Sequence, residues 1–137
     1  LAPRHGVFIA TAAVADWRPA TASERKMKKR SGEPAPAVEM VENPDILAEV
    51  ARLADAPYCV GFAAESHDLI ENARAKRLRK GVPLIVANLG PATFGRDDNA
   101  LTLVDAQGER ELPRADKLTL ARALIAELAQ RLPPFAA

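Results

Sequence analysis

Three short, continuous apolar runs divide the first two thirds of the sequence. They extend from Val7 to Ala13, from Tyr58 to Ala64 and from Pro83 to Ala87. Runs of this length that contain β-branched and aromatic residues are typical of strands buried on both faces of a sheet. The pattern therefore predicts three buried strands of a largely parallel sheet.

Two stretches with helical periodicity separate these strands. The first begins at Asn43-Pro44-Asp45, where asparagine suits the N-cap and proline suits the first turn, and it continues to Ala54. The second extends from about Asp68 to Lys80 and ends at Gly81. Strands that alternate with helices predict an α/β fold, specifically a Rossmann-like three-layer sandwich with a mainly parallel sheet and a C-terminal antiparallel hairpin.

The remaining segments predict smaller elements of a single domain, 1–137. Pro19 is expected to end regular structure after the first strand, and Ala37–Val41 is expected to form a half-exposed strand. Residues 99–112 predict the C-terminal hairpin, and Asp116 suits the N-cap of a last amphipathic helix. The predicted inner face of that helix consists of Leu118, Ala121, Leu124, Ile125 and Leu128.

The composition is that of an ordinary globular protein. Hydrophobic residues make up 48% of the 137 residues and charged residues 27%, which argues against a disordered tail. The net charge of +1 gives no overall field that favours nucleic acid or a membrane surface. The longest apolar stretch, Val7 to Ala15, is shorter than the ~20 residues of a membrane-spanning helix, so we expect no membrane association. The use of one cysteine makes a reducing cytoplasm the expected location. A single cysteine, Cys59, excludes an internal disulfide and a cysteine-based zinc site.

Ligands of α/β sheets bind outside the carboxyl ends of the strands. In this sequence those ends are residues 12–16, 63–65 and 87–88. Asp16 would there orient a hydroxyl, a base or a metal, or would be a simple turn residue. His5 and His67 have no acidic residue or cysteine at a ligand-like spacing, and no metal site is assigned.

Two groups of cations are candidates for phosphate binding. Arg25–Arg30 contains five basic residues in six positions on a loop, which suits a polyphosphate, a solvated surface or a nucleic acid. Lys76 and Lys80 share one face of the second helix, although cations near a helix C-terminus also stabilise the helix dipole. At the start of the first helix Asp45 disfavours a phosphate, so a base or a sugar is the better ligand.

Seven segments occur in the order and at the spacing of one known family. They are Ala12–Trp17, Lys26–Lys29, Asn43–Ile46, Gly61–Glu65, Ala75–Lys80, Val86–Asn88, and Phe94–Gly95 followed by Asp97–Asn99. Together they resemble phosphopantothenate–cysteine ligase, usually the C-terminal half of a bifunctional bacterial flavoprotein, over about residues 6 to 132. The glycine-rich nucleotide motifs and the nucleophile elbow of hydrolases are absent from the sequence.

The resemblance implies a ligase of coenzyme A biosynthesis that uses CTP with magnesium. CTP activates the carboxylate of 4′-phosphopantothenate as an acyl-cytidylate, and the amino group of cysteine then attacks that intermediate. The resemblance further implies a homodimer. FMN belongs only to the fused decarboxylase half and not to this chain.

The resemblance also implies which residues contact the nucleotide. They are Ala10, Thr11, Ala12, Asp16, Lys26, Pro44, Asp45, Ile46, Leu47, Phe62, Lys76 and Lys80. Lys26, on a loop that closes over the site, is implied as the catalytic lysine. An ammonium group suits that role because negative charge builds at the α-phosphate during activation.

The family has a glycine-rich segment and a substrate-binding asparagine that precede the first strand found here. Because the sequence begins at Leu1 close to that strand, we expect a later part of a longer protein that holds most of the CTP site and is inactive alone. Two alternatives remain open. One is a nucleic-acid-binding α/β module that uses residues 25–30 and the helix 68–80, and the other is a nucleotide-binding domain without catalysis.

Overall fold

The computed structural model describes residues 5–22, 32, 34, 36–90 and 95–132. These residues form two compact units. The larger unit comprises the described parts of Leu1–Thr11 and Leu47–Ala137, and the smaller unit comprises those of Ala12–Ile46. That the whole chain forms one domain stays a prediction.

Strands and helices alternate in the middle of the described chain, with three consecutive strands at its start and three near its end. In chain order the elements are β1 (Val7–Ala10), β2 (Trp17–Pro19), β3 (Met40–Glu42), α1 (Ile46–Ala51), β4 (Tyr58–Glu65), α2 (Leu69–Lys80), β5 (Leu84–Leu89), β6 (Asp98–Val104), β7 (Glu109–Asp116) and α3 (Lys117–Arg131). Five strands form one sheet in the order β1-β4-β5-β6-β7, and β2 and β3 form a separate pair. Within the described residues no helix is long and apolar enough to cross a bilayer.

The larger sheet is parallel on one side and antiparallel on the other. β1, β4 and β5 run parallel, with Ala10 opposite Gly61 and Glu65 opposite Leu89. β6 runs antiparallel to β5, and β7 runs antiparallel to β6. The predicted α/β fold and the predicted C-terminal hairpin are confirmed.

Helices cover both faces of the central strands β4 and β5, which explains their continuous apolar sequence. Successive side chains of a strand point to opposite faces. Val60 belongs to the same buried cluster as Leu124 of α3. Ile85 belongs to the cluster on the other face, together with Leu47 of α1 and Ala73 of α2. The three layers are therefore α3, the sheet, and the pair of α1 and α2.

Gly61 and Cys59 of β4 both face the layer of α1 and α2. A Cβ at Gly61 would lie 2.7 Å from Cδ2 of Leu47 and 2.8 Å from Cδ1 of Ile85, so the glycine lets α1 approach the sheet closely. Cys59 is buried in the same cluster, and burial raises the pKa of its thiol. The cysteine is thus a buried apolar side chain in this fold.

The caps of α2 and α3 are those that the sequence predicts. α2 ends at Gly81, whose φ of 67° places it in the left-handed region and whose N–H donates to the carbonyl of Leu78. α3 begins after Asp116, whose carboxylate accepts a hydrogen bond of 2.9 Å from the N–H of Thr119.

The predicted inner face of α3 is only partly correct, because Leu124 and Leu128 are buried as predicted and the other three residues are not. The residues that the helix buries are Leu120, Leu124, Glu127 and Leu128. Leu118 and Ile125 are instead 60% and 56% exposed, and Ala121 is also exposed. The carboxylate of Glu127 accepts a hydrogen bond of 2.6 Å from Nη1 of Arg110 on β7. A charged residue can therefore occupy a core-facing position, which the apolar pattern alone did not anticipate.

The smaller unit contains the antiparallel pair of β2 and β3, which corrects two expectations. Pro19 is not outside regular structure, because it is itself paired in a strand as the last residue of β2, opposite Met40. A proline lacks only the N–H, so it is tolerated at the end of an edge strand. The half-exposed strand expected at Ala37–Val41 is displaced to β3.

The two sides of α3 provide a test of this packing. Leu124→Ala should lower the free energy of unfolding by about 2–5 kcal/mol, because it leaves a cavity between α3 and the sheet. Ile125→Ala, the matched change on the exposed side, should cost less than about 1 kcal/mol. Urea denaturation measures both values, and similar losses in the two variants would contradict the observed phase.

Candidate functional site

The carboxyl ends of the parallel strands meet at one edge of the larger sheet. Ala10 is the last residue of β1 and lies opposite Gly61, so the chain leaves β1 at Thr11, level with Phe62 of β4. β4 continues beyond this point to Glu65. The structure therefore brings together three of the predicted nucleotide contacts, namely Ala10, Thr11 and Phe62.

These three residues offer different chemistry to a ligand. Phe62 is half-buried and packs against the cluster on the α3 side, whereas Ala10 packs against the cluster on the other side. Thr11 is exposed and contributes a hydroxyl group. An aromatic ring beside a free strand end can contact a base or a sugar. Leu47, a further predicted contact, is only 9% exposed and packs in the core.

A cavity of about 280 Å³ opens where β5 ends and α2 begins. Leu69 and Leu89 form its apolar wall, and Asn99, Glu111 and Arg114 supply polar groups. A cavity with a mixed lining suits a small polar molecule, although its volume is near the lower limit of about 300 Å³ for ligand pockets. The sequence analysis missed it, because its lining comes from four separate elements.

Beside this cavity, two arginines hold the carboxylate of Asp98. Nε of Arg96 donates to one oxygen at 2.7 Å, and Nη1 of Arg114 donates to the other at 3.0 Å. The hydrogen bond from Arg96, followed by the one from Arg114, lowers the pKa of Asp98 to about 2. Asp98 therefore stays ionised at neutral pH and offsets positive charge at the rim of the cavity.

Lys76 and Lys80 lie in the second half of α2, on one face as predicted. At a rise of ~1.5 Å per residue, their Cα atoms are about 10 and 16 Å from the first residue of α2. That first residue follows the carboxyl end of β4, so both lysines lie toward the opposite end of the strands. Both side chains are half-buried, and neither is without an interaction.

In the smaller unit, Asn43 ties residues 15–16 to the turn before α1. Its N–H donates to the carbonyl of Asp16 at 2.8 Å, and its Nδ2 donates to the carbonyl of Ala15 at 2.7 Å. Nη1 of Arg18 donates to Oδ1 of Asn43 at 3.0 Å and to the carbonyl of Glu42 at 2.9 Å. The network brings Asp16 next to Asn43-Pro44-Asp45, as two of the predicted contact segments require.

The prediction of Asn43 as a helix N-cap is wrong. Both polar atoms of its side chain are used in this network, and α1 begins only at Ile46. The N–H of Ile46 donates to the carbonyl of Pro44 at 3.1 Å. α1 also ends at Ala51 rather than Ala54. Pro44, Asp45 and Ile46 are all exposed, so a ligand can reach them.

The remaining predicted contacts are Ala12 and Lys26. Ala12 is exposed in the smaller unit. Lys26 and the basic run 25–30 lie outside the described residues. Sequence reasoning missed Arg18, which holds Asn43, because an arginine between tryptophan and proline carries no motif.

No group of three His, Cys, Asp or Glu side chains in the described part of the chain is placed to hold a metal ion. His67 lies close to Ser66, with Nδ1 and the hydroxyl oxygen 2.7 Å apart. A magnesium ion that arrives with a nucleotide takes most of its ligands from phosphate and water, together with one or two carboxylates. Exposed Asp16 and Asp45 fit that smaller requirement.

Comparison with known proteins identifies a family and relatives that this chain resembles. Residues 1–132 match the family described as the DNA/pantothenate metabolism flavoprotein C-terminal domain. The coenzyme A biosynthesis bifunctional protein CoaBC of Vibrio cholerae is 45% identical over 128 residues, which are 90% of this chain and 32% of that protein. The chain thus spans about a third of the length of this relative.

Two solved structures resemble the fold. The crystal structure of the C-terminal domain of CoaBC has a TM-score of 0.69 and 29% identity, and the match covers 91% of this chain and 54% of that chain. The DNA/pantothenate metabolism flavoprotein from Streptococcus pneumoniae has a TM-score of 0.74 and 17% identity, with 95% and 65% covered. Because the identity is only 17%, the likeness to the Streptococcus pneumoniae protein shows a shared fold and nothing more.

The hydrogen bonds from Arg96 and Arg114 predict how the carboxyl group of Asp98 titrates. Arg114→Gln should raise the pKa of Asp98 from about 2 toward 3.8, because one of two hydrogen bonds to the carboxylate is lost. Since the folded pKa is lowered, the stabilising effect of Asp98 is present above its ordinary pKa and is lost as the pH falls through the folded value.

NMR titration of the Asp98 carboxyl carbon measures this shift. Arg122→Gln removes an equal charge from the exposed side of α3 and should leave the titration unchanged. A pKa that stays near 2 in Arg114→Gln would show that Arg114 does not hold the carboxylate.

Proposed function

Because the chain belongs to the family of DNA/pantothenate metabolism flavoprotein C-terminal domains, we propose that it carries most of the nucleotide site of a phosphopantothenate–cysteine ligase in coenzyme A biosynthesis. The relative from Vibrio cholerae is a bifunctional protein of coenzyme A biosynthesis. The observation that carries the proposal is the meeting of Ala10, Thr11 and Phe62 at the carboxyl edge of the parallel strands. This edge is where α/β sheets bind their ligands.

The proposed reaction has two steps. The carboxylate of 4′-phosphopantothenate attacks the α-phosphate of CTP, which gives an acyl-cytidylate and releases diphosphate. The amino group of cysteine then attacks the acyl carbon, so that an amide forms and CMP leaves. Magnesium enters with CTP and neutralises phosphate charge.

The proposed roles follow the chemistry of each segment. Ala10, Thr11 and Phe62 contact the base or the ribose at the strand ends. Asp16, with Pro44, Asp45 and Ile46 in the turn that Asn43 holds, forms a second, carboxylate-bearing group of contacts. These carboxylates suit hydroxyl groups, an amino group or the metal ion better than they suit phosphate.

The lysines supply the positive charge that a triphosphate requires. Lys76 and Lys80, one turn apart on α2, suit two phosphate groups of one nucleotide. Because both lysines lie away from the carboxyl ends of the strands, this role requires a triphosphate that extends along α2 from a base held at those ends. Lys26 acts on the activation step, because an ammonium group that reaches the α-phosphate stabilises the charge developing there. Ala12 and Leu47 complete the set through backbone contacts, which suits an alanine and a buried leucine.

The partners in this proposal are CTP, 4′-phosphopantothenate and cysteine, and the functional form is a homodimer. FMN belongs to a fused decarboxylase half rather than to this chain. The protein works in the cytoplasm without a membrane or nucleic acid.

Titration with magnesium–CTP and magnesium–ATP tests the nucleotide site directly. Trp17, the only tryptophan, is 56% exposed beside Asp16, so its fluorescence should change saturably with CTP and more weakly with ATP. Lys76→Gln should weaken CTP binding by about tenfold, because a phosphate loses a charged partner. Arg79→Gln, an exposed change of equal charge on the same helix, should not.

The same titration contains the outcome that opposes the proposal. If neither nucleotide changes the signal of the folded chain, and duplex DNA binds with a steep dependence on salt, the protein is a nucleic-acid-binding module instead. Equal effects of Lys76→Gln and Arg79→Gln would indicate nonspecific attraction of the nucleotide.

Lys26→Gln tests the catalytic role in an assay of ligase turnover. Turnover should fall by about 10²-fold, because the lost charge stabilises the transition state more than bound CTP. The affinity for CTP should change by less than about threefold. Lys28→Gln removes an equal charge from the same run and is the control. Equal losses of turnover and affinity in Lys26→Gln would refute the assignment.

A further inference from the structure

A second cavity lies at the opposite edge of the larger sheet, where β4 and β5 begin. Its volume is about 340 Å³, and its polar lining includes Tyr58, Arg77, Asp105, Gln107 and Arg131. Arg77 and Arg131 come from the last turns of two different helices, α2 and α3. None of these residues belongs to the set proposed to bind the nucleotide.

Both arginines carry a buried donor that is not satisfied. Nε of Arg77 and Nε of Arg131 are buried, and neither has a hydrogen-bond partner in the described residues. A buried N–H without an acceptor is unfavourable, and such groups in native proteins are usually satisfied by a ligand, an ion or water. The two donors therefore indicate that an acceptor group occupies the cavity.

The acidic residues near the cavity already have hydrogen-bond or ion-pair partners. Asp105 accepts hydrogen bonds from Nη1 of Arg131 at 2.6 Å and from the N–H groups of Gln107 and Gly108 at 2.8 and 3.1 Å. Glu127 pairs with Arg110 at 2.6 Å and lies 4.0 Å from Arg131. Arg77, by contrast, forms no ion pair within the part of the chain that the structure describes.

The local charge favours an anion. The C-terminal dipoles of α2 and α3 act against a negative ligand with about half a charge each. Lys80 in the last turn of α2 offsets this effect at the end of that helix. Asp105 offsets the charge of Arg131, and Glu127, 4.0 Å from Arg131, is itself paired with Arg110. The charge of Arg77 then leaves the cavity positive.

We propose that this cavity is a second site, which binds a phosphate group through Arg77, Arg131 and Tyr58. Tyr58 lines the cavity beside Arg77 and Arg131, and its hydroxyl group can donate a hydrogen bond to an acceptor. The donors come from α2, α3 and β4, so they approach from several directions. A tetrahedral phosphate presents oxygens in several directions, whereas a carboxylate presents two oxygens in one plane.

NMR detection of the arginine Nε–H groups tests the site with inorganic phosphate as the probe. Phosphate should shift the signals of Arg77 and Arg131 saturably, while chloride at equal ionic strength should not. Arg77→Gln should weaken binding by about tenfold, because a charge-assisted donor is lost. Arg79→Gln, which removes an equal charge from the exposed side of the same turn, should change binding by less than about twofold.

Further variants keep the test decisive. Arg77→Lys retains the charge and should bind phosphate with intermediate strength, because the planar guanidinium is lost. Arg77→Lys also takes the place of Arg77→Gln in this test if Arg77→Gln fails to fold. Lys76→Gln should leave the Arg77 signals responsive, which separates this site from the proposed nucleotide site and from any failure of that proposal. Methyl phosphate in place of inorganic phosphate distinguishes a phosphomonoester ligand from the free ion.

Two results would overturn the proposal. One is the absence of any shift of the Arg77 and Arg131 signals at tens of millimolar phosphate, which would assign the buried donors to water. The other is an equal loss of phosphate binding in Arg77→Gln and Arg79→Gln, which would show that phosphate is attracted only by the general surface charge.

Discussion

The burial of β4 and β5 on both faces is the constraint on which the larger unit depends. A strand buried on both sides needs apolar residues at every position, and two layers of helices must cover it. α3 covers one face and α1 with α2 covers the other. Gly61 is part of this constraint, because only the missing side chain leaves room for Leu47 over the sheet. The same parallel strands then bring their carboxyl ends to one edge, where Ala10, Thr11 and Phe62 meet.

The two ends of the larger sheet have different chemistry. The carboxyl edge offers a free strand end, an aromatic ring and a hydroxyl, with Asp98 and its arginines beside a small cavity. The opposite edge collects the cationic last turns of α2 and α3. Cations near helix C-termini stabilise the helices by themselves. Two of them, however, bury an unsatisfied Nε, and helix stability alone does not require that.

The smaller unit shows how polar contacts take the place of a core. β2 and β3 form only a short pair with exposed side chains, and such a pair is weak by itself. The side chains of Arg18 and Asn43 link the residues on either side of this pair through three hydrogen bonds, and the backbone N–H of Asn43 adds a fourth to Asp16. This arrangement fixes Asp16 relative to Asp45. Hydrogen bonds of this kind can position side chains for a ligand without requiring a large buried apolar area.

Local patterns in the sequence were sufficient for the α/β class, the buried strands, α2 with its cap at Gly81, the C-terminal hairpin and the cap of α3 at Asp116. Each of these depends on neighbouring residues, whose conformational preferences are readable in order. The family resemblance likewise came from short segments, and the comparison with known families confirms it. Tertiary structure alone decided which side of α3 is buried, because both sides carry leucine or isoleucine and Arg110 from another strand satisfies Glu127. It also decided that Asn43 bridges two segments instead of capping a helix, and that Arg77 and Arg131 share a cavity. These outcomes depend on partners distant in the sequence, and no local preference encodes the position of such a partner.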